Sequence, residues 1–333
     1  MLAALATLGK KRRQYDFAGK VVLITGGSRG LGLILAREFA AEGARVAICA
    51  RDADELALAR QDLESNGAEV FDAICDLRNQ DEVARLVEDV RVRFGSIDVL
   101  VNNAGVIQVG PLEVQTQKDF EDAMQIHFWA PFYTMQAVLP EMRKRGEGRI
   151  INIASIGGKI PVPHLAPYCA SKFALVGLSS SMGVELAKDN IFVTTVCPGL
   201  MRTGSHINAT FKGQNKKEFA LFSLSNALPI SSINAERAAR QIIRASARGD
   251  SEAIITIQAQ LAAKMHNLLP EVTSEILSLV NQLLPAEGGI GKGYATGLES
   301  SSIVSPSFMT ALSDAASEQN NELRPGEHLF SES

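Results

Sequence analysis

Between Lys20 and Thr256, short apolar runs alternate with longer stretches in which apolar residues recur every three or four positions. The runs Val21–Ile24, Val46–Cys49, Val70–Cys75, Val99–Val101, Ile150–Ile153, Val193–Cys197 and Ala253–Ile257 are rich in valine and isoleucine. Apolar runs of that kind suit strands covered on both faces, as in a parallel sheet. Between them, Leu31–Glu42, Glu55–Ser65 and Glu82–Phe94 carry helical spacing, and the first and last stop at Gly43 and Gly95. A glycine there supplies the left-handed residue that closes a helix. The pattern predicts an α/β fold: a Rossmann-type doubly wound parallel sheet of about seven strands with helices on both faces. In such folds ligands bind outside the carboxyl ends of the strands.

After Thr256 the pattern changes. Residues 258–284 read as two amphipathic helices divided by Pro270, followed by a glycine- and serine-rich coil with one short helix near Met309–Glu318. The chain therefore divides into an arm over residues 1–18, a Rossmann-type α/β domain over residues 19–257, and a helical extension with a coil tail over residues 258–333. In the extension, Leu261, Met265, Leu268 and Leu269 form an apolar stripe, continued by Val272, Ile276, Leu279, Val280 and Leu283. Such a stripe needs a cover. Lys264 is the only lysine or arginine between Gln258 and Leu284. A membrane surface is therefore the less favoured cover, and protein contact is expected, either over the substrate mouth or in a homodimer or homotetramer.

Composition narrows the class. A hydrophobic content of 46% is ordinary for a soluble globular chain, and a net charge of -4 gives no reason to expect nucleic acid. No apolar run approaches the roughly 20 residues of a membrane-spanning helix. Met1–Leu8 is apolar, but Lys10, Lys11, Arg12 and Arg13 follow it rather than precede it, which is the wrong order for a secretory signal. Cys49, Cys75, Cys169 and Cys197 are scattered without a CxxC pair and read as reduced core thiols. The expected location is the cytoplasm, with a peripheral membrane contact as the variant.

The first strand runs directly into Thr25-Gly26-Gly27-Ser28-Arg29-Gly30-Leu31-Gly32, where a helix begins. A turn that lets backbone approach a pyrophosphate needs residues without Cβ, and the free amides of the helix start bind the anion. This is a dinucleotide signature because a strand precedes it and a helix follows. The second strand ends Cys49-Ala50-Arg51, with no carboxylate before Asp52. An acidic residue at that point bonds the ribose 2′-hydroxyl of NAD, whereas arginine accommodates the 2′-phosphate of NADP. Arg51 and Arg29 together favour NADP(H).

Further residues fall in order. Asn102-Asn103-Ala104-Gly105 closes the fourth strand, Ser155 ends the fifth, and Tyr168-Cys169-Ala170-Ser171-Lys172 follows on a helix. Pro198-Gly199, with Thr203 after it, closes the sixth strand. Together these motifs resemble the short-chain dehydrogenase/reductase family over roughly Gly19 to Thr256. The resemblance implies that Asp76 lies by the adenine ring and Asn102 by its ribose, with Leu77, Asn103, Ala104 and Gly105 also at the dinucleotide. It further implies that Lys172 holds the nicotinamide ribose and that the Pro198–Thr203 turn lies beside the carboxamide.

The chemistry can be argued from the residues. Tyr168 and Lys172 are four apart on a helix and share a face. A phenol has a pKa of about 10 and needs lowering by roughly 3 units to work as acid and base near neutrality. The Lys172 ammonium, a helix N-terminus and the positive charge of the oxidised nicotinamide all push that way. Ser155 is placed to polarise the substrate oxygen. The reading is an NADP(H)-dependent enzyme that interconverts a carbonyl and a secondary alcohol. The alternative is a dinucleotide-binding redox sensor or scaffold without turnover, which has no need of Ser155, Tyr168 and Lys172 together.

One position departs from the family pattern. Where many members carry asparagine in the long fourth helix, aligned on that helix this chain has His127. Imidazole can hold a relay water through its two nitrogens, or can be a core histidine satisfied by the backbone. Substrate contacts are expected from Gly157–Pro167 and from Gly204–Pro229. The latter carries Phe211, Phe219, Leu221, Phe222 and Leu224, which would suit an apolar lid over a small hydrophobic carbonyl or alcohol.

Overall fold

In the computed structural model of the chain, residues 14–227, 232–301 and 311–323 are described. Seven parallel strands form the central sheet, and we number only these. They are β1 (Val21–Thr25), β2 (Arg45–Ala50), β3 (Val70–Ile74), β4 (Val99–Asn102), β5 (Gly148–Ile153), β6 (Ile191–Pro198) and β7 (Glu252–Ile255). Their spatial order is β7-β6-β5-β4-β1-β2-β3, and every neighbouring pair is parallel. The order reverses between β1 and β4, so the crevice at their carboxyl ends is the switch point where an open α/β sheet binds ligands.

Alternate residues of each strand serve opposite faces. Val22 and Ile24 of β1 belong to a core with Leu33 and Phe39 of α1 (Gly30–Ala41), Leu56 of α2 (Ala53–Ser65) and Ile242 of α8 (Ala235–Arg248). Val21 and Leu23 belong to the opposite core with Val87 of α3 (Gln80–Phe94), Met135 and Met142 of α5 (Ala130–Arg145) and Leu186 of α6 (Ala166–Leu186). The doubly wound expectation is met. Gly43 and Gly95 end their helices at φ +81° and +87°. The four cysteines are buried and free.

The arm differs from a loose extension at its inner end. Phe17 is buried edge-on to Phe39 at 5.1 Å, and the Tyr15 amide donates to the Ala247 carbonyl at 2.8 Å. Met1–Leu8 and the following cluster Lys10–Arg13 lie outside the described residues. No helix among the described residues is long and apolar enough to cross a membrane.

Pro270 divides the extension as its fixed φ and missing amide dictate, falling at the first position of a helix. Helix α9 spans Ile257–Leu268 and α10 spans Pro270–Gln282. Ala259 and Ala263 are buried, whereas Leu261, Leu268, Leu279 and Leu283 are 63–84% exposed. No residue of α9 or α10 lines the cavity described below, so they do not cap the substrate mouth as the sequence suggested. A last helix, α11 (Ala311–Gln319), packs back on α7 (Asn215–Ala227).

Candidate active site

The glycine loop is built by steric necessity. Gly26 takes φ +62°, and a Cβ on Gly32 would lie 1.9 Å from the Gly26 carbonyl oxygen. Only glycine at both lets α1 start directly against the end of β1. No side chain caps α1, and its first turn holds no acid. Its amide end is thus left for an anion or a backbone carbonyl to satisfy. Asn103 fixes the loop from beside it, donating from Nδ2 to the Thr25 and Gly26 carbonyls at 3.1 and 3.0 Å. Thr25 Oγ1 in turn accepts from the Asn103 and Ala104 amides, which joins the ends of β1 and β4. These residues would cradle a dinucleotide pyrophosphate, so the site fits the cofactor that the sequence implies.

Asn102 does something else. Its side chain is buried, donates to Asn152 Oδ1 at 2.9 Å and accepts from Thr134 Oγ1 at 2.6 Å, so it ties strands together instead of reaching a ribose. Asn152 continues the network to Ser179, which also accepts from Thr195 Oγ1. Leu77 is likewise buried in the core, leaving only its backbone for a ligand. Asp76 is held at the rim by the Arg78 guanidinium at 2.6 Å, which keeps its carboxyl below the usual range.

The two arginines are not equivalent. Arg51 is exposed beside the Asp76 carboxylate, which its charge helps to keep ionised. Arg29 donates to Glu55 Oε1 at 2.8 Å, and Glu55 Oε2 accepts from the Ser28 hydroxyl at 3.0 Å. Glu55 therefore positions Ser28 and Arg29, a role that its place in the first turn of α2 concealed in the sequence.

Ser155, Tyr168 and Lys172 converge on a cavity of about 230 Å³ beyond β5 and β6. Asn103, Gly105, His127, Pro198, Gly199 and Thr203 also line it. Ser155 follows β5 and accepts from the Gly157 amide at 3.0 Å. Tyr168 and Lys172 lie on α6, and Lys172 Nζ donates to the Ile153 carbonyl at 2.9 Å. Burial pushes the Tyr168 phenol up to about 12, against the opposite pull of its hydrogen bond with Ser155. Burial pushes Lys172 down to about 7. In the chain alone, burial thus dominates over the lowering expected from the lysine ammonium. The environment that brings the two together penalises charge on each of them. A phenol in that state keeps its proton at neutral pH.

His127 lies in a π-helical turn, Gln125–Trp129, between α4 (Gln117–Met124) and α5. Such turns insert one residue and re-aim side chains. Nε2 accepts from the Val106 amide at 3.1 Å and Nδ1 meets Ser171 Oγ at 2.8 Å. Since Nε2 accepts, Nδ1 carries the proton and donates to Ser171, whose hydroxyl donates to the Tyr168 carbonyl. Both nitrogens are taken by the chain, so the relay-water role falls and a positioning role replaces it. Burial holds the imidazole pKa well below its ordinary value.

The lid expectation is corrected in part. Phe211 and Phe219 are buried in a satellite core with Val109 and Ile207, and of the five residues only Phe222 lines the cavity. The Gly157–Pro167 loop contributes Val162 and Leu165, and His164 ties it to α7 through Glu218 at 2.8 Å.

Comparison with other proteins agrees with this geometry. The family model of the short chain dehydrogenases matches residues 20–212. A dehydrogenase/reductase SDR family protein 7-like from Anopheles gambiae is 34% identical over 280 residues, covering 82% of this chain and 86% of its own. L-Sorbose reductase from Gluconobacter frateurii, solved with NADPH and L-sorbose, superposes with a TM-score of 0.65 at 31% identity. That match covers 73% of this chain and 97% of the reductase. A variant of actinorhodin polyketide ketoreductase with NADPH superposes with a TM-score of 0.62 at 32% identity, covering 72% of this chain and 95% of the other. The family model spans more than half of the chain, and a relative at 34% identity is matched over most of its length, so the chain belongs to the short-chain dehydrogenase/reductase family.

Proposed function

We propose that the chain is an NADP(H)-dependent oxidoreductase that reduces a carbonyl of a small, largely apolar substrate to a secondary alcohol. The observation that carries this is the meeting of Ser155, Tyr168 and Lys172 at one cavity beside the glycine turn, with the phenol held protonated. Gly26, Gly30, Leu31 and Gly32 would hold the dinucleotide phosphates at the α1 N-terminus. Ser28, Arg29 and Arg51 would take the 2′-phosphate, with Asp76, Leu77, Ala104 and Gly105 along the adenosine half. Asn103, Pro198, Gly199 and Thr203 border the nicotinamide half. The bound cofactor supplies the hydride.

Tyr168 donates its proton to the oxygen of the carbonyl as charge develops there, and Ser155 donates a hydrogen bond to that same oxygen. Lys172 orients the nicotinamide ribose. Reduction uses the protonated phenol, and alcohol oxidation is the reverse of the same steps. Val106, Ile107, Val162, Leu165, Met201 and Phe222 make the cavity wall apolar. Two similar proteins named as reductases of a sugar and of a polyketide share the fold, which supports reading substrate choice from this wall rather than from the sheet. The test is NADPH consumption across ketones of graded polarity, with NADH as comparator. The reading requires turnover with apolar ketones and a preference for NADPH. Turnover confined to polyols, or equal use of NADH, would overturn it.

A further inference from the structure

The polypeptide just beyond α11 lies across the dinucleotide loop. The Gly30 amide donates to the Asn320 carbonyl at 2.9 Å. Asn321, at φ +57°, turns the chain and donates from Nδ2 to the Ser28 and Glu55 carbonyls at 2.9 and 3.0 Å. Glu322 is buried, and its Oε1 lies where a Cβ on Gly30 would stand. Its Oε2 accepts from Asn208 Nδ2 at 2.7 Å and lies 3.6 Å from Arg29 Nε. The same segment reaches the other wall of the groove, where Asn320 Nδ2 donates to the Thr203 carbonyl at 3.2 Å and Ser317 Oγ to that of Gly204. Arg37 fastens it from α1, bonding the Asn320 side chain at 3.1 Å and the Gln319 carbonyl at 3.0 Å.

These are the groups that phosphates would need. A helix-start amide binds a pyrophosphate through its free N–H, and here that N–H is already donating. The guanidinium placed for a 2′-phosphate stands between two carboxylates, Glu55 and Glu322. A dinucleotide entering this loop would bring further negative charge against both. We propose that the segment Ala311–Leu323 is a built-in competitor of the dinucleotide, with the Asn320 carbonyl and the Glu322 carboxylate occupying the Gly30 amide and the Arg29 guanidinium that the phosphates require. This rests on the dinucleotide reading of the glycine turn. Cofactor entry then requires the segment to leave, and the apparent affinity falls by the fraction of time that it is docked. A segment docked in 90–99% of molecules weakens apparent NADPH affinity by about 10- to 100-fold.

The burial of Glu322 pushes its carboxyl up to about 7, opposed first by Arg29. Docking therefore carries a desolvation cost that keeps the segment releasable.

The experiment measures NADPH affinity by fluorescence titration of the full chain and of two full-length variants, Glu322→Ala and Asn321→Ala. It also measures hydrogen exchange of residues 311–323 in the wild-type chain with and without NADPH. Competition predicts that each variant binds NADPH more tightly, by up to about 100-fold, and that NADPH accelerates exchange in the segment. Weaker or unchanged binding in the variants, or protection of the segment by NADPH, would overturn it in favour of a strap that closes over bound cofactor. Failure of all three proteins to bind NADPH would remove the dinucleotide reading itself and the proposal with it, an outcome distinct from either of these.

Discussion

Replacing Lys172 by methionine should stabilise the fold, and by an amount that depends on pH. The lysine is 4% exposed, and burial carries its pKa from 10.5 to about 7. Between those values the unfolded chain holds a proton that the folded chain has released, so unfolding takes up a proton and stability rises with pH. The contribution changes by about 1.4 kcal/mol per pH unit, to a ceiling of about 5 kcal/mol over the window. At and below pH 7 the full cost of burying the amine is present; above pH 10.5 it is gone. Methionine keeps the length of the chain and removes the titration. It also loses the bond to the Ile153 carbonyl, a pH-independent loss of about 1 kcal/mol. The stability gain of Lys172→Met should therefore be largest near neutrality and shrink by about 2–3 kcal/mol over two pH units upward. Buried Cys49 and Cys75 titrate in the opposite sense above pH 9, but they are common to both proteins and cancel in the difference; Cys197, which faces Lys172, adds a change only above pH 9. Urea unfolding of both proteins at about pH 7 and about pH 9 measures it. A difference that stays constant or grows with pH refutes the argument, because the lysine would then be charged in the folded state.

Substitutions at two other positions probe the walls of the site. His127→Leu leaves the Val106 amide and the buried Ser171 hydroxyl without their ring partner and should cost about 1–3 kcal/mol in urea unfolding, whereas His127→Asn, which can accept and donate, should recover much of it. Equal stability of the two variants would mean that the ring positions nothing. Arg51→Asp should raise the Kd for NADPH about tenfold or more, through repulsion of the 2′-phosphate, while changing that for NADH less. Equal losses for both cofactors would move the phosphate contact elsewhere.

The sheet, the glycine turn and the Ser155, Tyr168 and Lys172 positions were legible because they are local. Valine-rich runs announce buried strands, a strand–glycine–helix sequence announces its own geometry, and an i, i+4 pair on α6 has one shared face. What the sequence hid depends on contacts between distant segments. Nothing near Asn102 in the chain reveals that Thr134 and Asn152 would claim its side chain. Nor does the first turn of α2 show that Glu55 reaches back to Ser28 and Arg29. Burial was hidden for the same reason: proximity of Lys172 to Tyr168 could be read from spacing, but the desolvation acting on both could not. The apolar stripe of α9 and α10 was read correctly as periodic, but not that Ala259 and Ala263 would face inward and the leucines outward, away from the cavity.

The central claim, that Tyr168 donates the proton to the carbonyl oxygen, is tested most directly by Tyr168→Phe. The substitution keeps the ring that packs edge-on to His127 at 5.4 Å and deletes only the hydroxyl. NADPH affinity by titration should stay within about twofold, while kcat for ketone reduction falls by about 100- to 10,000-fold. A Tyr168→Phe variant that binds NADPH normally and still reduces its ketone at more than about a tenth of the wild-type rate would contradict the account.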